Sequence, residues 1–219
     1  MKRRILIGVA AAAIVGGALW WQLGENETTG AATAATPEYA DADTSSVTEM
    51  TMGPEDAKVT ITEYASFTCP HCATFHQTTF KELKRDYIDT GKVHFIYRDV
   101  YFDRVGLWAS MVARCGGPVR FFGISDLLYS QQKEWMGGDD AVAISNNLRR
   151  IGKVAGLSED QVNACLEDAD KAETLLAWFN QNKDADEISS TPTLMINGTQ
   201  YGNMPYSELK AVIEEKLAE

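Results

Sequence analysis

The sequence predicts a mixed α/β fold: a central sheet with helices packed on it, interrupted by an all-helical block. Three observations carry this. A β-rich apolar run, "KVTITEYASF", leads through "CPHC" into an amphipathic helix and then a second apolar strand, "KVHFIYRDV". The next stretch of about 80 residues is helical in period throughout. Strand signals return only at "TPTLMING".

The chain opens with "MKRR", followed by "ILIGVAAAAIVGGALWWQL" from Ile5 to Leu23, which carries no charge. Basic residues ahead of an apolar run mark an export signal whose positive end stays inside. The run approaches the ~20 residues a helix needs to cross a bilayer. Trp20 and Trp21 suit an interfacial anchor, whereas a small-residue cleavage pattern comes only around Ala32 to Ala34. Residues 1–23 are therefore expected to be a signal peptide or a membrane anchor, with the rest exported in either case. Arg3-Arg4 lacks the wider twin-arginine pattern. Residues 24–46 nearly lack large aliphatics and are expected to form a flexible tether.

The folded part is expected over residues 47–219. "VTEMTMG" alternates weakly, as an edge strand would, and "GPED" is a turn. After the first long strand, a helix beginning at Pro70 puts Phe75, Phe80, Leu83 and Tyr87 on one face and stops at Gly91. The helical block, at about residues 104–186, comprises five periodic segments. Ser158 and Gln161 within it have capping-box spacing. "TPTLMING" and "TQYGN" form a hairpin turned at Asn197-Gly198. A last helix, "SELKAVIEEKLAE", has Ser207 as its cap.

The chain has 31 acidic and 20 basic residues, a formal charge of -11. So acidic a surface repels phosphate backbones, and no nucleic-acid partner is expected.

Four cysteines remain to be explained. In an exported protein disulfides persist. Of the three pairings that four cysteines allow, Cys69–Cys72 with Cys115–Cys165 is the simplest. Cys69, Cys72 and His76 also have plausible zinc spacing, but a structural zinc site wants four ligands, commonly from a second close pair. Haem attachment needs a histidine directly after the second cysteine, and Ala73 stands there. No metal and no cofactor beyond a redox-active cysteine pair is expected.

The junction itself suggests chemistry. Cys69 falls at a helix N-terminus, where free N–H groups and the helix dipole favour a thiolate. His71 favours it further if it is protonated or donates a hydrogen bond, and Pro70 fits the first helical position. A stabilised thiolate makes the disulfide the higher-energy form, hence an oxidant. Cys72, one turn into the helix, should be more buried and less reactive. His76 and His94 are expected to be packing or surface residues, and Trp108, Phe121, Phe122, Trp135, Trp178 and Phe179 mostly core.

From about Val47 onward, three features resemble the DsbA group of thioredoxin-fold disulfide oxidoreductases: "CPHC" at a strand–helix junction, the placing of the helical block, and "TPT" at Thr191–Thr193 before a strand. The resemblance implies that the Cys69–Cys72 disulfide is donated to folding exported proteins with free cysteines, through a mixed disulfide at Cys69. It implies a cis peptide at Thr191–Pro192, in a loop that offers backbone to the substrate. It gives Glu63 a proton-handling or charge-balancing place under the disulfide, although "KVHFIYRDV" has no internal lysine to partner it. It allows a second, non-catalytic disulfide between Cys115 and Cys165, and it implies a quinone-linked, DsbB-like membrane reoxidant. An isomerase or reductase on the same fold is the alternative; a zinc-binding module is the remote one.

Overall fold

A computed structural model describes residues 39–138 and 140–219. The signal or anchor expected at 1–23, and the tether up to residue 38, lie outside the described residues. Among those described, no helix is long and apolar enough to cross a membrane.

Strand β1 (Met50–Met52) is the short edge strand expected, and β2 (Val59–Ala65) and β3 (Val93–Asp99) are the two long apolar ones. With β4 (Thr193–Ile196) and β5 (Thr199–Tyr201) they form one sheet in the order β1-β3-β2-β4-β5. β2 and β3 are parallel, and every other neighbouring pair is antiparallel. Both central strands are buried almost throughout, which is why they read as continuous apolar runs rather than alternating ones. The β4–β5 hairpin turns at Asn197 and Gly198, both with positive φ of 46° and 80°. That is the backbone a two-residue turn of this kind demands.

The single helix expected after Pro70 is broken. It runs as α1 (Pro70–Gln77), then α2 (Thr79–Leu83), then a π-helical turn over Lys84–Ile88. The break sits at Thr78, whose φ and ψ of -122° and -88° are not helical. Its hydroxyl donates to the Thr74 carbonyl at 2.7 Å, competing with the backbone ladder. Phe75, Phe80, Leu83 and Tyr87 remain buried despite the break, as the apolar periodicity requires.

The inserted block holds α3 (Arg104–Cys115), α4 (Gly117–Ser130), the short α5 (Gln132–Trp135), α6 (Ala141–Val154), α7 (Glu159–Glu167) and α8 (Ala169–Ala185). The Ser158–Gln161 capping box is formed at the start of α7. A disulfide between Cys115 and Cys165 joins α3 to α7. The block is keyed to the sheet by a buried ion pair absent from the sequence reading: Arg114 of α3 reaches Asp99 at the end of β3, Nη2 to Oδ2 at 2.7 Å. The Arg114 guanidinium also lies 5.2 Å from the Trp178 ring of α8.

Two further expectations are corrected. The closing helix, α9 (Tyr206–Ala218), starts one residue before Ser207, with Pro205 at the boundary and no side-chain cap. The fixed φ of proline presets that entry. The expected tether ends early, because residues 39–46 are held on α8. Gln181 Nε2 donates to the carbonyls of Tyr39 and Ala42, and the Tyr39 hydroxyl donates to Asp184 at 2.6 Å.

Candidate active site

The register of the sheet brings the chemistry together. β2 leads through Ser66–Thr68 to Cys69, and β4 runs antiparallel to it with Thr193 opposite Tyr64. The residues just before β4 therefore arrive beside the loop just after β2. Thr191 and Pro192 are those residues, and their peptide bond is cis. The thiol of Cys69 donates to the Thr191 carbonyl at 3.6 Å.

Cys69 occupies the N-cap of α1, with Pro70 at the first helical position. It and Cys72 are both unbonded thiols. Their environments differ sharply. The Cys69 thiol is lowered to about 5, first by a hydrogen bond from the Cys72 thiol, with burial opposing. The Thr191 side chain and the backbone N–H groups of Cys72 and His71 add to the lowering. Cys72 is pushed far above its ordinary range, chiefly because it is fully buried, then by its bond to Cys69 and by the charge of Glu63. His71 contributes its backbone N–H at the helix start, while the residue itself is exposed.

Sequence reasoning missed two residues here. Gln132, from α5 of the helical block, is buried and donates both to the Phe67 carbonyl at 2.8 Å and to the Cys69 carbonyl at 3.0 Å. It ties the inserted block to the loop that carries the cysteines. Its signal in sequence is nil, since a glutamine in a polar "SQQKE" stretch reads as surface. The second is His76, expected to be a packing or surface residue. Its Nε2 lies 2.8 Å from Glu63 Oε2, and the residues are 4% and 0% exposed. Here a signal existed: His76 follows Cys72 by four residues, so the two share a helix face. Glu63, on a buried strand, needed a polar partner. His94 is buried in β3, its Nδ1 3.4 Å from the Gly53 carbonyl.

Of the aromatics assigned to the core, Phe121 and Trp135 are fully buried and Trp178 and Phe179 nearly so, whereas Trp108 and Phe122 are only partly covered. Among the described residues no three histidine, cysteine, aspartate or glutamate side chains are grouped as a metal would need. With Nε2 of His76 engaged by Glu63, the zinc spacing of Cys69, Cys72 and His76 has no free imidazole edge on that side.

The chain is similar to several known proteins. Residues 45–215 match the thioredoxin family model described as "Thioredoxin". A provisionally named protein-disulfide oxidoreductase of Rickettsia bellii (strain RML369-C) is 35% identical over 176 residues, covering 78% of this chain and 65% of that protein. The corresponding Rickettsia felis protein is covered over 61% of its length, so the chain spans less than two thirds of these curated relatives. Disulfide bond formation protein D of Bacillus subtilis (strain 168) is 26% identical over 178 residues, 76% of each chain. The crystal structure of Wolbachia pipientis alpha-DsbA1 superimposes with a TM-score of 0.71 at 25% identity, covering 78% of this chain and 91% of that one.

Proposed function

The chain belongs to the thioredoxin family, in its DsbA-like branch, and from that membership we propose that it is an exported thiol:disulfide oxidoreductase working in the oxidising direction. The observation that carries this reading is the asymmetry of the cysteine pair: a low-pKa, helix-capping Cys69 beside a fully buried, high-pKa Cys72. Stabilising the Cys69 thiolate stabilises the reduced pair and so makes its disulfide oxidising.

In this reading a substrate thiolate attacks Cys69 Sγ in the disulfide, and the electron pair of the broken bond goes to Cys72. A second substrate thiolate then attacks the substrate sulfur of the mixed disulfide and expels Cys69. That sulfur is a good leaving group because its thiolate is stable. Pro70 and the backbone N–H of His71 stand at the helix start beside Cys69, and Thr191–Pro192 is the loop against which an extended substrate would lie. Glu63 would handle the proton or charge beneath the disulfide. The substrates would be exported chains with free cysteines, and the reduced enzyme would be restored by a quinone-linked, DsbB-like membrane protein. A second disulfide, Cys115–Cys165, supports an oxidising compartment, as does the apolar run at 5–23 ahead of the domain.

Equilibrating the Cys69–Cys72 pair with glutathione decides the direction. An oxidase should settle near the about -120 mV of strongly oxidising members of the group. A value near the about -270 mV of thioredoxin would sink the oxidase reading and favour a reductase, and one between them an isomerase.

A further inference from the structure

The loop that carries Thr191 and Pro192 to Cys69 runs from Asp186, at the end of α8, to the start of β4 at Thr193. It belongs to no helix or strand, so its place depends on how its two ends are held. At the far end Thr193 pairs with Tyr64 of β2, and its hydroxyl donates to the Ser190 carbonyl at 2.8 Å. At the near end the Ile188 N–H donates to the Lys183 carbonyl at 2.8 Å, which closes the last turn of α8. That closure puts Glu187 at a φ of 51°, the left-handed region where a helix end usually has glycine. Another residue stays there only where its surroundings fix it. Ile188 is buried and clusters with Tyr64, Val100 and Phe179.

Asp186 is fixed by charge as well. Its Oδ2 accepts the hydroxyl of Tyr64 and lies 3.3 Å from Arg98 Nη1, which also donates to the Tyr64 hydroxyl oxygen at 2.7 Å. Burial first, then the bond to Asp186, holds the Tyr64 hydroxyl above its ordinary range, so it keeps the proton that it donates. Arg98 is oriented from behind by Glu49, whose Oε1 accepts from Nη2 at 2.9 Å and from Nε at 3.2 Å. Arg98 and Tyr64 are register partners across β3 and β2, and Thr193 is the partner of Tyr64 on its other side. The start of the loop is thus tied to the same rung of the sheet that receives its end. The hydrogen bonds of these side chains go to one another, to Glu49 and to the Asn182 carbonyl. They take no part in the chemistry of the sulfurs.

We propose that Tyr64, Arg98 and Asp186 are positioning residues for the substrate: they clamp the 186–192 loop so that Thr191–Pro192 stands where an extended chain bonded to Cys69 has to lie. The inference rests on the disulfide-exchange reading above and names what keeps its substrate loop in place. A loop held before the substrate arrives needs no ordering when it binds. With the clamp open the loop still joins β4, but its first half is free to shift. The grip on a polypeptide then weakens, while the helix N-terminus that tunes Cys69 is untouched.

The test is reduction of the oxidised protein at neutral pH by two dithiols. One is a synthetic peptide with two cysteines, which has a backbone to lay on the loop. The other is dithiothreitol, which has none. In each case the dithiol becomes a disulfide and passes two electrons to the Cys69–Cys72 bond. Cys72 takes up one proton, Cys69 remains a thiolate and the other proton goes to solvent. Second-order rate constants are expressed per thiolate, and the unmodified protein should favour the peptide. Tyr64→Phe and Asp186→Ala should each lower the ratio of peptide to dithiothreitol rate by about ten-fold, within what misplacing a positioning group costs. The rate with dithiothreitol should not change. Because each variant opens the same clamp, the double variant should lose no more than the worse single one. Asp186→Asn, which keeps an oxygen for the Tyr64 hydroxyl, should recover part of the loss. Asp184→Ala, two residues earlier and bonded to Tyr39 instead, should keep the ratio of the unmodified protein. Tyr64→Phe leaves its ring in the apolar cluster and Asp186 is partly exposed, so both variants should fold, which thermal unfolding checks. Variants that melt lower but keep the ratio have a merely structural clamp and overturn the inference. So do an Asp184→Ala protein as impaired as Asp186→Ala and an unmodified protein without preference for the peptide. These outcomes leave the exchange reading intact, whereas a disulfide that reacts with neither dithiol overturns both.

Discussion

At the scale of single residues, Cys69 is the group whose charge the fold most alters. Its thiol is lowered from 9.0 to about 5 in the folded, reduced protein. An acid whose folded pKa is depressed contributes stability that is complete above its unfolded pKa and disappears as pH falls through its folded one. The window is therefore about pH 9 down to about pH 5. The oxidised protein has no thiol at this position and lacks the effect. Thermal unfolding at successive pH values should show the reduced form losing stability relative to the oxidised form on acidification, most steeply between pH 8 and 5. A gap between the two forms that does not change with pH would remove the thiolate from the account. Alkylation of the reduced protein should follow the same titration at Cys69 and spare Cys72, which is wholly buried. The cysteines were legible because spacing and a strand–helix junction are local properties. The partner of Glu63 was not, because the neighbouring strand has no internal lysine and the partner is a histidine on the helix, 13 residues further along the chain.

Among the elements, the periodic ones were the most readable. The apolar runs of β2 and β3, the Asn197-Gly198 hairpin and the Ser158 capping box each announce themselves within a few residues. The break at Thr78 was hidden because the apolar period of Phe75, Phe80, Leu83 and Tyr87 continues across it. What bends the helix there is a threonine hydroxyl taking a backbone carbonyl, which hydrophobic patterning does not record. Gln132 of α5 shows the same limit, for its partners are carbonyls more than 60 residues away. Gln132→Ala should take the buried side-chain donor from the Phe67 carbonyl and leave the Cys69 carbonyl with the Ala73 N–H alone, at a cost of about 1–3 kcal/mol. Denaturant titration measures that cost. A change below about 0.5 kcal/mol would mean that water or a shift of α5 replaces both bonds.

For the molecule as a whole, the placing of the helical block between β3 and β4 was legible from the order of strand and helix signals. How the block is fastened was only half so. The Cys115–Cys165 link is one of three arithmetic pairings, but the buried pair of Asp99 and Arg114 sits in segments that read as ordinary strand end and helix. The disulfide closes a separation of 50 residues. Constraint of the unfolded chain over such a loop is worth about 4 kcal/mol, less any strain. The double variant Cys115→Ser, Cys165→Ser should therefore unfold with about 2–4 kcal/mol less stability while keeping the Cys69 titration, since α3 and α7 contribute no atom to that thiol. Loss of the Cys69 shift in that variant would show that the block and the site are more tightly coupled than Gln132 alone provides.

The sheet ends on both sides in strands of three residues, β1 and β5. A protein proposed to meet unfolded chains all its life has a hazard built into that work: an unfolded chain is the natural addition to an open sheet margin, and long, flat margins seed aggregates. Strands this short leave only a few backbone groups free for such zippering. An incoming chain can be gripped by one covalent sulfur bond and a short stretch of loop, both of which let go when the exchange is complete, and finds little else to add itself to.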